Sequence, residues 1–267
     1  MATKKTRVRA TRSTNAHHPH EQPTRTLVVD VGATGIKATL VNDLGMPVGQ
    51  RVRRETPPSG SPGEIIDVVV AHSKQFESFD RVAVGFPGVI INGIVTQAPN
   101  LAPEWQDFHI AEVLQARLQK PVRVANDADV QGFGAISGTG VELVLTLGTG
   151  VGTSLFVDGR LVPNLEIGKD NLRNKALQKV GKKKWNRRLS RYVKKLESIF
   201  HFTRLHIGGG NSQKADLGLL PPNVTIVSNM NGLIGGIALW RYGSEKPVEP
   251  PSEVRKEHPT SAQACVT

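Results

Sequence analysis

Two stretches of this chain share one local pattern, and that repeat narrows the fold more than any other feature. Thr26-Leu-Val-Val-Asp-Val31 is a short apolar run, followed by a glycine-containing turn and a second apolar run from Ala38 to Val41. Glu142 to Val157 has the same layout around Leu147-Gly-Thr149-Gly150-Val-Gly152. Short β-branched runs closed by glycine read as paired strands. A unit that returns further along a chain predicts a duplication, here two lobes facing a cleft. Any two α/β turns share some of this look, so the repeat alone leaves coincidence open.

The punctuation elsewhere is also α/β. The pattern predicts a third strand over Val48 to Arg53, a helix from Glu64 to Phe76 and a strand from Arg81 to Phe86. A helix from Ala111 to Leu118 and a strand from Val122 to Ala125 follow. Further on, Leu189, Tyr192, Val193, Leu196, Ile199 and Phe200 recur at helical spacing. Strands are expected at Arg204 to Ile207 and Val224 to Val227, and a last helix at Gly232 to Trp240. The expected division is a disordered basic tail (1–25), a smaller N-terminal lobe (26–128), a larger C-terminal lobe (129–228) and a polar tail (244–267). A C-terminal helix over 229–243 is expected to join the first lobe.

Charge is distributed unevenly. The formal net charge is +11, yet residues 169–204 hold thirteen Lys/Arg against only Asp170 and Glu197. Lys182, Lys183, Lys184, Arg187, Arg188, Arg191, Lys194 and Lys195 occupy the polar side of the predicted helix. Solvated helix faces usually mix both signs; this one reads as a track for a polyanion such as nucleic acid, an anionic membrane or a polyphosphate. The single cysteine, Cys265, excludes an internal disulfide and a Cys-rich zinc site, and fits a reducing, cytoplasmic compartment. No apolar run approaches the ~20 residues of a membrane helix.

Four motifs could carry chemistry. In Asp30-Val-Gly32-Ala33-Thr34-Gly35-Ile36-Lys37, glycines let backbone N–H groups turn toward an anion. Thr34 adds a hydroxyl, Lys37 a positive charge, and Asp30 could hold Mg²⁺ through water. An ordinary hairpin turn would use glycine in the same way. Thr149 and Gly150 offer a second such turn, and two turns across a cleft could grip one phosphate chain. Asp127, after the Val122 to Ala125 strand, could accept a proton from a hydroxyl; Asn126-Asp127 could equally be an Asx turn or helix cap. Asp129 is expected to point elsewhere. Glu166 and Lys169 suit vicinal hydroxyls, or a surface salt bridge.

At these motifs the chain resembles the ROK (repressor, open reading frame, kinase) family of sugar kinases, from about Thr26 to Trp240. Asp30 to Lys37 matches the family's Asp-x-Gly-x-Thr-x-x-Lys loop, and Leu143 to Lys169 its Gly-rich signature. Gly208-Gly209-Gly210 matches the segment near a nucleotide's adenosine. Asn126-Asp127-Ala-Asp129 looks most like the polyphosphate glucokinase branch. The resemblance implies an α/β, two-lobe actin-like (ribonuclease-H-like) fold with a duplicated βββαβαβ-type unit and a central cleft. It implies phosphoryl transfer from polyphosphate or ATP, with Mg²⁺, to the 6-hydroxyl of glucose and of mannose, in a homodimer. Asp127 would be the base; Asn100, Asn126 and Glu166 would hold other hydroxyls, with Gly88 lining the pocket.

Two departures stand out. The family's Glu-x-Gly-His reads Glu166-Ile-Gly168-Lys169 here, and the Cys-rich zinc loop is missing, so no zinc site is expected. The substitution at Lys169 is expected to loosen the pocket near C2, where glucose and mannose differ. An ATP-only glucokinase is the main alternative. A DNA-binding repressor of this family would need a helix-turn-helix module, and the 25 or so non-periodic residues before the first strand are too few for one. A non-catalytic sugar or RNA binder would not need Asp127 and both turns.

Overall fold

The computed structural model describes residues 24–228 and 231–242. Most of the expected basic tail, the whole polar tail with Cys265, and residues 229, 230 and 243 of the expected last helix lie outside them.

β1 (Thr26–Val31) is buried along its whole length apart from Asp30, which is half-buried. A strand apolar on both faces must sit inside a sheet that is covered on both sides. It does so, between β2 (Ile36–Val41), antiparallel, and β4 (Arg81–Phe86), parallel, with β3 (Val52–Arg54) and β7 (Val122–Asn126) at the edges. The first sheet therefore runs β3-β2-β1-β4-β7. The second has the same plan, β10-β9-β8-β11-β12, built from β8 (Val141–Leu147), β9 (Val151–Val157), β10 (Arg160–Val162), β11 (Arg204–Gly208) and β12 (Val224–Ile226). Both have two antiparallel pairings followed by two parallel ones. The duplication expected from the glycine turns is present in the topology.

Alternation along the strands sets the layers. Leu27, Val29 and Val31 join Ile65, Ile66 and Val69 of α1 (Pro62–Ser73) and Ile110 and Leu114 of α2 (Ile110–Leu118) in one core. Val28 points to the opposite face, against Ile237 of α5 (Asn231–Tyr242). In the second sheet, Leu143, Leu145 and Leu147 meet Trp185, Leu189, Val193 and Leu196 of α4 (Asn174–Phe200). Val144 and Phe156 instead meet Phe133 of α3 (Asp127–Phe133) and Ala238 of α5. Thus α3 and α5 lie between the two sheets, with α1 and α2 outside one and α4 outside the other. Each buried aliphatic side chain contributes roughly 1.5–3 kcal/mol. This is the two-lobed actin-like architecture.

Several boundaries differ from expectation. The third strand covers only Val52–Arg54; ahead of it Val48 N–H donates to Leu40 O (2.7 Å) and Gly49 turns the chain at φ 92°. A hairpin of β5 (Val89–Ile91) and β6 (Ile94–Gln97) follows β4. α4 starts far earlier than its apolar spacing suggests and breaks at Gly181, whose φ of 76° is outside helical space.

Candidate active site

The first glycine turn joins β1 to β2. Gly32 N–H donates to Gly35 O (3.1 Å), Thr56 Oγ1 donates to Gly32 O (2.5 Å) and Arg53 donates to Thr34 O (3.0 Å). These bonds hold the turn and leave Ala33 and Thr34 exposed. Lys37 stands opposite Asp30 in the β1–β2 register, and the two form an ion pair at 3.2 Å. The second turn joins β8 to β9. Gly148 N–H donates to Gly150 O (3.0 Å), while Gly148 O accepts from the first N–H of α4, Asn174 (2.9 Å). Both turns line one cleft of ≈ 610 Å³.

Between them lies the junction of β7 and α3. Asn126 Oδ1 accepts from Ala128 N (2.8 Å) and Asp129 N (3.4 Å), capping α3, while its Nδ2 donates to Gly88 O (3.0 Å). A cap of this kind is worth about 1 kcal/mol. Asn-Asp is therefore a helix cap, and the cap itself aims the next residue into the cleft. The Asp127 carboxyl is pushed up to about 7, first by burial, then by the Asp30 charge, with Glu166 and Asp129 adding to it and the Ala128 N–H opposing. Asp129 is also raised to about 7, by burial and the Glu166 charge against the Asn164 N–H. It does not line the cleft; its Oδ2 accepts from Asn164 N at 3.3 Å.

The cleft brings together Asp30, Gly32, Ala33, Thr34, Gly35 and Lys37 with Thr149, Gly150, Gly209 and Gly210. Gly88, Asn100, Asn126, Asp127 and Glu166 line it as well. Three expected residues are not among its lining. Ile36 is fully buried in the first core, Gly208 is buried within β11, and Lys169 is exposed outside the cleft. The Glu166 loop nevertheless sits tightly on the second turn: a Cβ at Gly168 would lie 2.0 Å from Val151 O. Of the eight cations in the expected track, Lys183, Lys184, Arg187 and Arg191 share a separate groove with Val180, Ser190 and Leu219. Arg188 turns to Asn171 O (3.4 Å), and Lys182, Lys194 and Lys195 are exposed elsewhere on α4.

Arg173, which belongs to none of the four motifs, lines the cleft just before α4, pairs with Asp170 at 2.7 Å and keeps a buried Nε without a hydrogen-bond partner. Its place at the start of the basic segment, four residues after Lys169, was the available signal.

A carboxylate that must be ionised to act, with a pKa near 7, sets a direction for pH dependence. The rate is expected to fall about tenfold per pH unit below that value and to level off above it. A pH profile of kcat/KM checks this; an acid limb near 4 would exclude Asp127 as the titrating group.

The ROK family model matches residues 26–165. The polyphosphate glucokinase of Mycobacterium tuberculosis is 29% identical over 232 residues, which is 78% of this chain and 88% of that protein. The crystal structure of inorganic polyphosphate/ATP-glucomannokinase from Arthrobacter sp. strain KM superposes with a TM-score of 0.71 at 32% identity, over 81% of this chain and 99% of that one. A ROK family glucokinase from Streptomyces griseus, solved with glucose and AMPPNP, shares the fold at 19% identity, with a TM-score of 0.67 over 81% and 99% of the two chains. With the duplicated sheets, the paired glycine turns and the matched span together, the chain belongs to the ROK family.

Proposed function

We propose that this protein is a hexose kinase, transferring the terminal phosphoryl group of inorganic polyphosphate or ATP to the 6-hydroxyl of glucose and of mannose. The observation that carries the reading is Asp127, held by the Asn126 cap in a cleft between two glycine turns and raised to about 7. Asp127 orients the sugar hydroxyl and takes its proton as the oxygen attacks the terminal phosphorus. One P–O bond forms to the sugar, and the bond to the shortened donor breaks. Such a transfer needs positioning and charge neutralisation more than covalent chemistry from the protein. Thr34, Thr149 and the turn N–H groups other than those of Gly32 and Gly148, which bond within the turns, neutralise the transferred group together with Lys37. Asp30, a half-buried carboxylate lining the cleft beside Lys37, would hold Mg²⁺, which would supply positive charge at the phosphate oxygens. Asn100, Asn126 and Glu166 are the remaining candidates for the sugar hydroxyls, with Lys169 outside.

The cationic groove on α4 supports polyphosphate as a donor. The first residue of α4, Asn174, donates to Gly148 O of the second turn, so a phosphate chain reacting in the cleft has a cationic helix leading away from it. A long polyanion binds such a face by releasing counterions, an effect a short nucleotide shares little. Incubating the protein with glucose or mannose, Mg²⁺ and either donor should yield hexose 6-phosphate; no product from either donor sinks the reading. Replacing Lys183, Lys184, Arg187 and Arg191 with Gln should raise the polyphosphate KM by about tenfold or more at matched salt and leave that for ATP nearly unchanged. Equal effects on both donors would remove the groove from the reading.

A further inference from the structure

Asn164 lies outside the cleft lining, yet it connects the segments that form the sugar end of the cleft. It follows β10 in the second half of the chain at φ 58°, a left-handed conformation that Asn tolerates better than most residues. Its side-chain amide forms a two-bond pair with the backbone N–H and C=O of one residue of the first half. Ile90 N–H donates to Asn164 Oδ1 at 3.1 Å, and Asn164 Nδ2 donates to Ile90 O at 3.0 Å. Its own N–H donates to the buried carboxylate of Asp129.

These bonds close a circuit. Asn126 ties α3 to Gly88 O; Gly88 leads through Val89 to Ile90; Ile90 is clasped by Asn164; and Asn164 returns to α3 through Asp129. Two residues beyond Asn164 is Glu166, whose loop is further pinned by Thr153 and by Tyr192. The circuit thus joins the hairpin strand β5, the loop carrying Glu166 and the helix carrying Asp127. Each contributes a residue to the cleft: Val89, Glu166 and Asp127.

We propose that Asn164 is a positioning residue for the hexose: by clasping Ile90 of the first half and bonding Asp129, it fixes Glu166 and Gly88 at the separation the sugar requires. It touches neither substrate nor the reacting atoms. The inference rests on the hexose kinase reading, because the segments it joins are the sugar-side ones. The two glycine turns lie outside the circuit, so donor binding is not expected to depend on it.

Asn164→Gly isolates the side chain, since glycine keeps the left-handed backbone and the N–H to Asp129. Asn164→Asp serves as a second variant that retains the fold, placing a carboxylate oxygen against Ile90 O in place of the amide donor. Both are expected to raise the hexose KM by roughly 10- to 100-fold, with the donor KM within about twofold of wild type, since small misplacements of this kind are amplified. Amide exchange at Ile90 should accelerate in Asn164→Gly. A hexose KM unchanged in both variants overturns the clasp, as does a rise in the donor KM equal to that for hexose. Absence of hexose turnover by the wild-type protein is the different result that overturns the kinase reading itself.

Discussion

Asp127→Asn is expected to lower kcat by ~10²–10⁴-fold, the contribution usual for a positioned general base, while the hexose still binds. Asn keeps the shape of the side chain and its place in the first turn of α3, and removes only the capacity to take a proton. The same substitution is expected to stabilise the fold. A carboxyl raised to about 7 in the folded chain, from 3.8 when exposed, destabilises the native state wherever it must be ionised. The sign follows from proton binding: the native state holds the proton more tightly, so its stability falls as pH rises through 7 and is unaffected below about 4. The variant should therefore gain roughly 2–6 °C in Tm at pH 8, and that gain should vanish as pH falls toward 4. Calorimetry at several pH values beside single-turnover kinetics checks both. A variant that keeps turnover removes Asp127 as the base; one that loses turnover without gaining stability removes burial as the source of its raised pKa.

Gly235→Ala is expected to have the largest effect on stability. In α5 this glycine crosses α3 backbone to backbone: a Cβ there would stand 1.6 Å from Val130 O and 2.8 Å from the Val130 carbonyl carbon. Gly134 makes the reciprocal approach: a Cβ there would stand 1.8 Å from Asn231 O. Two effects oppose each other. Ala in a helix gains about 1 kcal/mol over Gly, whereas overpacking costs about 1–3 kcal/mol or more. The overpacking wins, because the atoms in the way are backbone and cannot change rotamer. The expected result is a Tm lower by roughly 5–10 °C. Gly63→Ala in α1 is the control, since a Cβ there meets nothing within 4 Å and only the propensity gain remains. Equal thermal stability in the two variants would show that α3 and α5 separate readily. Because α3 carries Asp127, activity in Gly235→Ala should fall with the packing.

The parts legible in the sequence are those whose apolar runs are long and buried on both faces. β1, β4 and β8 announce themselves in this way, and so do the two glycine turns that they support. The hairpin of β5 and β6 was also marked, by Asn92-Gly93 at its tip with φ of 52° and 78°, the pair favoured in two-residue hairpin turns. That signal sat between strands only three and four residues long and was passed over. α3 has seven residues, too few for periodicity to register, and its helicity rests on the Asn126 cap and on packing of Val130 and Phe133. Asn164 was beyond reach, since its bonds are to the backbone of a residue 74 positions away. The likeness at Glu166 to Lys169 placed Lys169 among the sugar contacts, whereas Lys169 is exposed outside the cleft lining.

The place of α5 between the sheets has a consequence for how the chain acquires its structure during synthesis. Val28 and Val41, early among the described residues, are covered by Ile237 of the last described helix, and Arg241 reaches Asp43 O across 198 positions. The inner face of the first sheet thus stays open until both halves have emerged, and the first half cannot finish folding on its own. Long-range closure of this kind slows folding and lengthens the exposure of an apolar sheet face to other chains. Yield during overexpression should therefore depend on translation speed and on chaperone supply more than the stability of the finished protein would suggest.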